Sequence, residues 1–247
     1  MALLDDLKAK SEARKTEELA ERLHADQLQA AYERYLNPKM RQIFNYLSQI
    51  VEEVNYIKPN TRVDFELPVY GRMLGLRQEE YRLTADSRES MRKIVLRFRC
   101  TGGQTARFKV TPPSVAADLR EQLLDHGMTF DSRDYFDEYR AVIGQRFEVE
   151  GEFPVLVGVT ADIERTLIHI HITNFDAPIS RHAKYRPEQI TPEFLDDLGH
   201  YILRKHTKLI QLPISKEERE DLRIRTEREE RQRRGGLLNS LRRRGED

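Results

Sequence analysis

Apolar and polar positions follow two periods along this chain, and the change from one to the other divides it. From Leu3 to Leu36 there is no proline or glycine, and Ala, Leu, Glu, Lys, Arg and Gln dominate. These residues lose least on entering a helix, so one long helix is expected. Its apolar positions are sparse: Leu3, Leu4 and Leu7, then, past a charged run from Lys8 to Glu18, Leu19, Leu23, Leu28, Ala31, Tyr35 and Leu36. Spacings of three and four residues recur without sustaining clean heptads, which permits a coiled coil and does not establish one. Asn37-Pro38 reads as a helix cap followed by proline at the first helical position, so a second helix is expected over 38–57. Met40, Ile43, Phe44, Leu47, Ile50, Val51 and Val54 give it a broad apolar stripe that must dock on something. Lys58-Pro59-Asn60 ends it.

Beyond residue 60 the period falls from about 3.6 to 2. Val63, Phe65, Leu67 and Val69 alternate with Arg62, Asp64 and Glu66, and a less regular strand is expected over 74–84. Ile94, Leu96, Phe98 and Cys100, then Ala106, Phe108 and Val110, flank Thr101-Gly102-Gly103-Gln104, a pattern that predicts a hairpin turning on the glycines. A helix from Pro113 or Ser114 ends near Gly127; 131–140 reads as short helix or irregular chain; strands are expected over 145–150, 153–163 and 165–174. Thr191-Pro192 opens a last amphipathic helix through Phe194, Leu195, Leu198, Tyr201, Ile202 and Leu209. Strand runs without strict alternation with helices predict an α+β fold, an antiparallel or mixed sheet of about six or seven strands with flanking helices behind a long N-terminal helical region. The expected organisation is a charged helical arm at 1–36, a core domain at 37–212 that includes the docking helix, and a charged, Arg-rich tail at 213–247.

Composition sharpens this. The 42 Lys+Arg balance 42 Asp+Glu, which excludes a globally basic or acidic protein, while 34% charged residues exceed what one compact globule requires. Part of the chain should be extended. Met1 to Lys8 lacks the apolar run of an export signal, apolar stretches are too short to span a membrane, and the single cysteine fits a reducing cytoplasm.

Candidate chemistry is thin. Period two sends Lys93, Arg97, Arg99, Arg107 and Lys109 to the face opposite the apolar set, either to contact phosphates or, the favoured reading, to pair with acids such as Asp64, Glu66, Glu79 and Glu80 on neighbouring strands. No aromatic interleaves them for base stacking, which weakens the case for RNA. His169 and His171 share a strand face, a spacing usable for metal or for phosphoester hydrolysis, but the second His-x-Thr or His-x-Ser that such hydrolysis needs is absent. Asp125, Asp131, Asp134, Asp137 and Glu138, with His126, lack the calcium-loop order and read as solvated surface. Cys100 lies on an apolar strand face as a core residue, and no phosphate loop or dinucleotide fingerprint occurs.

The most polarised segment carries Arg231, Arg233, Arg234, Leu237, Leu238, Leu241, Arg242, Arg243 and Arg244 without an acid. It is suited to a partner groove, anionic lipid or nucleic acid, and gains from several copies acting together in a homo-oligomer. The expectation is a non-enzymatic cytoplasmic adaptor, without cofactor or metal, that binds protein partners through arm and tail. A nucleic-acid-binding accessory is the alternative, and a metal-dependent enzyme around His169 and His171 the weaker one.

Overall fold

In the computed structural model the described residues are 2–205, with side chains described from Lys10 onward except Ala13. The tail arginines and leucines at 231–244, Leu209, and the side chains of Leu3, Leu4 and Leu7 therefore lie outside the described residues. The element order is α1 (Ala2–Ala31), one π-helical turn (Tyr32–Leu36), α2 (Asn37–Ile57), β1 (Arg62–Leu67), β2 (Gly71–Ala85), β3 (Lys93–Val110), α3 (Pro113–Asp125), β4 (Phe130–Phe136), β5 (Val142–Asp162), β6 (Leu167–Thr173), β7 (Ser180–Tyr185) and α4 (Pro192–Ile202).

The helix break predicted at Asn37-Pro38 does not form. Asn37 has helical torsions (φ −57°, ψ −43°), and its N–H donates to the Tyr32 carbonyl five residues back. Proline in a regular α-helix clashes with the carbonyl four residues earlier; the extra residue of the π turn widens the ladder and lets the helix run on. Freed from capping, the Asn37 amide serves as a tertiary staple: Nδ2 donates to Glu33 (2.6 Å) and to the Glu89 carbonyl (3.2 Å).

The seven strands form one sheet, ordered β1-β2-β3-β5-β6-β7, with β4 also on β5. Every pairing is antiparallel. The predicted hairpin at Gly102-Gly103 is instead a bulge inside one 18-residue strand. Both halves of β3 pair with β5, from Lys93 opposite Thr160 to Val110 opposite Gln145, and Gly102–Gln104 lie against Gly151 alone. Neither Gly102 nor Gly103 takes the positive φ that a two-residue turn demands. What these glycines supply is closeness: a Cβ on Gly151 would sit 2.5 Å from the Gln104 carbonyl oxygen, and one on Gly102 would sit 2.6 Å from Leu76. For the same reason the strands expected at 145–150 and 153–163 are one 21-residue strand, β5. Most of the stretch 131–140, read as short helix or irregular chain, belongs to β4, Phe130–Phe136. Val69, assigned to β1, lies in the following turn with φ 68°. Strand β7 was not anticipated, because in Ser180–Tyr185 only Ala183 is buried and no apolar alternation marks it.

The inner face of the sheet makes the core. Phe65 stacks on Phe153 at 4.1 Å and Tyr81 on Phe98 at 4.9 Å, while Leu96, Val157, Ile170 and Ile172 are fully buried. Helix α2 contributes Met40, Ile43, Leu47 and Val54 to that core, as its stripe predicted. The α4 cap is as read: Thr191 Oγ1 accepts from the Phe194 N–H at 3.2 Å. Gly199 lets α4 approach α2, since a Cβ there would lie 2.6 Å from the Tyr46 hydroxyl. No described helix is long and apolar enough to cross a membrane.

Candidate interaction surfaces

Helix α1 spans about 45 Å at 1.5 Å per residue. From residue 10 to 27 every described side chain is exposed, including Leu19 (58%) and Leu23 (55%), which share one face at a spacing of four. Anchorage is at the base. Tyr32 and Leu36 are fully buried, Arg92 donates to Gln29 at 3.2 Å and lies over the Tyr32 ring, and Arg41 joins Asn37 in holding the Glu89 carbonyl. Burial of Tyr32 raises its hydroxyl pKa. Sequence signals for this base are weak, because a π turn has no distinctive composition.

The five hairpin cations do share the outward sheet face, because the β3 bulge adds an even number of residues and so preserves alternation. On one long strand, however, they spread over roughly 50 Å rather than gathering at a tip. Their partners divide them. Arg99 pairs with Glu152 and, at 3.6 Å, with Glu80; Arg107 pairs with Glu148 at 3.5 Å; Lys109 sits over the Tyr135 ring at 4.3 Å. Asp64 and Glu66 are not among these partners. Their strand pairs only with β2, and Asp64 accepts the Gly75 N–H instead. Among the described residues no acid pairs with Lys93 or Arg97, and Arg97 lies opposite Arg82.

Lys93 and Arg97 border a row of imidazoles. Val95, Gly158, His171 and His182 follow one another across β3, β5, β6 and β7, and Lys93, Thr160, His169 and Lys184 form the adjacent row. The His171 ring lies flat over Gly158, where any Cβ would overlap it, and stacks on His182 at 6.0 Å. Burial holds His171 below the ordinary histidine pKa, and His182 and Lys93 lower it further. Burial likewise lowers His169, with Lys184 and Arg165 adding to that effect and Asp162 opposing it. Asp162 approaches His169 Nε2 at 3.3 Å without forming a hydrogen bond. Among the described residues no three His, Cys, Asp or Glu side chains are placed to hold a metal ion.

The acidic run is dispersed rather than convergent. Asp131 pairs with Arg133, Asp134 accepts from Gln145, and Asp137 caps its own turn by accepting the Tyr139 and Ala141 N–H groups. His126 is bound not to these acids but to Asn174, at 2.7 Å. Cys100 is fully buried, and burial pushes its thiol up to about 12, so it is neither nucleophilic nor a metal ligand at neutral pH. No protein family, curated protein or solved structure matches this chain.

Proposed function

We propose that this chain is a non-catalytic interaction protein of the cytoplasm that engages a helix-bearing protein partner through α1, with the Arg-rich tail as a second contact. The observation that supports the reading is the arm itself: a helix of this length exposes Leu19 and Leu23 on one side, and among the described residues its contacts with the sheet domain gather at its base. Most helical stability in proteins comes from packing an apolar face, so such an arm gains most when a partner covers it. A second copy of the chain is one such partner, through coiled-coil pairing.

Affinity capture from lysate with the full chain, a chain lacking 1–30, a chain lacking 216–247 and the double variant L19D/L23D tests this. The expected result is that the arm truncation and L19D/L23D lose the same proteins, with the tail truncation losing a subset. Identical partner sets for all four would contradict it. Light scattering on purified chains identifies self-association as the source of the signal.

A second reading rests on Lys93 and Arg97, which lack acid partners among the described residues and stand beside His171 and Lys184 on the outward face. It makes that face a contact for nucleic-acid phosphates. Gel shifts across a salt series decide it: affinity falling steeply with salt and lost in K93Q/R97Q supports it, and no shift at low salt removes it.

A further inference from the structure

A cavity of about 400 Å³ lies between the last turn of α2 and the bulge of β2, where β1 no longer covers the strand edge. Its lining grades from rim to floor. Asn55, Lys58 and Glu80 are exposed, Arg77 is half-buried, and Val54, Gln78 and Tyr81 are buried. The rim side chains leave it open to entering molecules, while Val54, Pro59 and the Tyr81 ring give it an apolar wall.

The polar groups in this wall are not matched among themselves. Gln78 is only 3% exposed, and its Oε1 accepts from the Tyr81 hydroxyl at 3.0 Å, but its Nε2 has no hydrogen-bond partner. Arg77 Nε, also cut off from solvent, has none either among the described residues, where the Arg77 side chain makes a long 3.5 Å contact from Nη2 to the Lys58 carbonyl. Buried donors without acceptors are costly, so native structures seldom keep them without a purpose. Both unmatched groups are donors.

The charges point the same way. Glu79 already accepts the Thr101 hydroxyl at 2.6 Å, and Glu80 is engaged by Arg82 and Arg99. Among the described residues neither Arg77 nor Lys58 has a carboxylate partner. Glu79 has no cationic partner among the described residues either, so with Glu80 engaged elsewhere Lys58 and Arg77 outnumber Glu79 in the lining by one charge. The C-terminal end of α2 opposes an anion here, but that effect is weaker than one charge-assisted hydrogen bond. Lys58 (φ 49°) is the left-handed cap that closes α2, and Glu80 (φ 58°), in the β2 bulge, holds left-handed backbone, the kind of local cost that gathers at binding sites.

We infer that this cavity is a binding site for a small organic carboxylate with an apolar body: the carboxylate meets Arg77, Gln78 and Lys58, and the body lies against Val54, Pro59 and Tyr81. A cation would meet Glu79 but also Arg77, Lys58 and the two unmatched donors, which repel it or leave it unbound. Inorganic phosphate satisfies the charge but leaves the apolar wall wet. The site stands apart from the arm, so its fate does not depend on the reading proposed above.

Titration of the full chain with benzoate, benzamidinium and inorganic phosphate, read by calorimetry and by the side-chain amide signals of Gln78 and Asn55, tests the inference. Benzoate should bind roughly tenfold more tightly than either comparator and move the Gln78 amide signal. Its affinity should fall at least about tenfold in R77Q and several-fold in K58Q. Lys58 lies on the exposed rim, so K58Q keeps the test open if R77Q fails to fold. Absent benzoate binding, benzamidinium or phosphate binding as tightly as benzoate, or benzoate affinity unchanged in a folded variant would each overturn it.

Discussion

At the scale of single residues, a few close approaches fix the sheet. Gly158 exists so that His171 can lie down over β5. In G158A the new methyl and the ring cannot share that space, and overpacking of this kind costs about 1–3 kcal/mol. Removing the ring as well should return most of the loss, so G158A/H171A is expected to be more stable than G158A alone in urea melts; additive losses would show that the ring is not the obstacle. The same histidines make stability depend on pH. His169 and His171 have folded pKa values below the ordinary histidine value of about 6.5, so the unfolded chain takes up protons first as pH falls. Their neutral forms favour the fold fully above that value, and stability is lost as pH drops through it toward the folded values. Urea midpoints measured from pH 7.5 to 5.5 should fall, and the fall should be shallower in H169N/H171N. Asn174, 2% exposed, holds the His126 and Pro154 carbonyls through Nδ2 at 2.8 Å each while its Oδ1 meets His126. N174A leaves these groups unmatched, with an expected loss of about 1–3 kcal/mol.

At the scale of elements, the arm stands on a short base. N37A removes the amide that ties the π turn to the Glu89 carbonyl and to Glu33, and should cost about 1–2 kcal/mol while leaving the sheet intact. Amide exchange confined to residues near 28–40 is the readout, and faster exchange throughout β3 would refute the assignment. Periodicity revealed α2, β1, α3, β6 and α4, because each presents one apolar face with a regular repeat, while α1 followed from its helix-forming composition and β2 from a weaker alternation. It misjudged Asn37-Pro38 and Gly102-Gly103, where the residues usual in caps and turns serve a π turn and a close strand crossing. Those uses depend on the Glu89 carbonyl, Leu76 and Gly151, contacts that no local window contains. Strand β7 escaped notice because an edge strand with one buried alanine has no alternation to read. The face shared by the five cations was legible from parity alone; their partners were only half legible, since Glu80 was named and Glu148 and Glu152 were not. The Arg77–Gln78 cavity was invisible, because it arises where β1 stops short of β2.

At the scale of the whole molecule, an α+β body presents an exposed N-terminal helix at one end of its chain, and of its five outward cations Arg99 and Arg107 are paired with its own acids. The thiol of Cys100 is buried, and Asp131, Asp134 and Asp137 are each held by a separate partner. The central claim is that α1 is the surface other proteins cover. Hydrogen–deuterium exchange of the full chain, alone and mixed with a protein recovered by its capture, measures this most directly. The account predicts fast exchange over residues 10–27 in the free chain, slow exchange over β3 and β5 in both states, and strong new protection confined to 10–27 in the mixture. Protection appearing on the sheet while 10–27 stays as fast as before would contradict it.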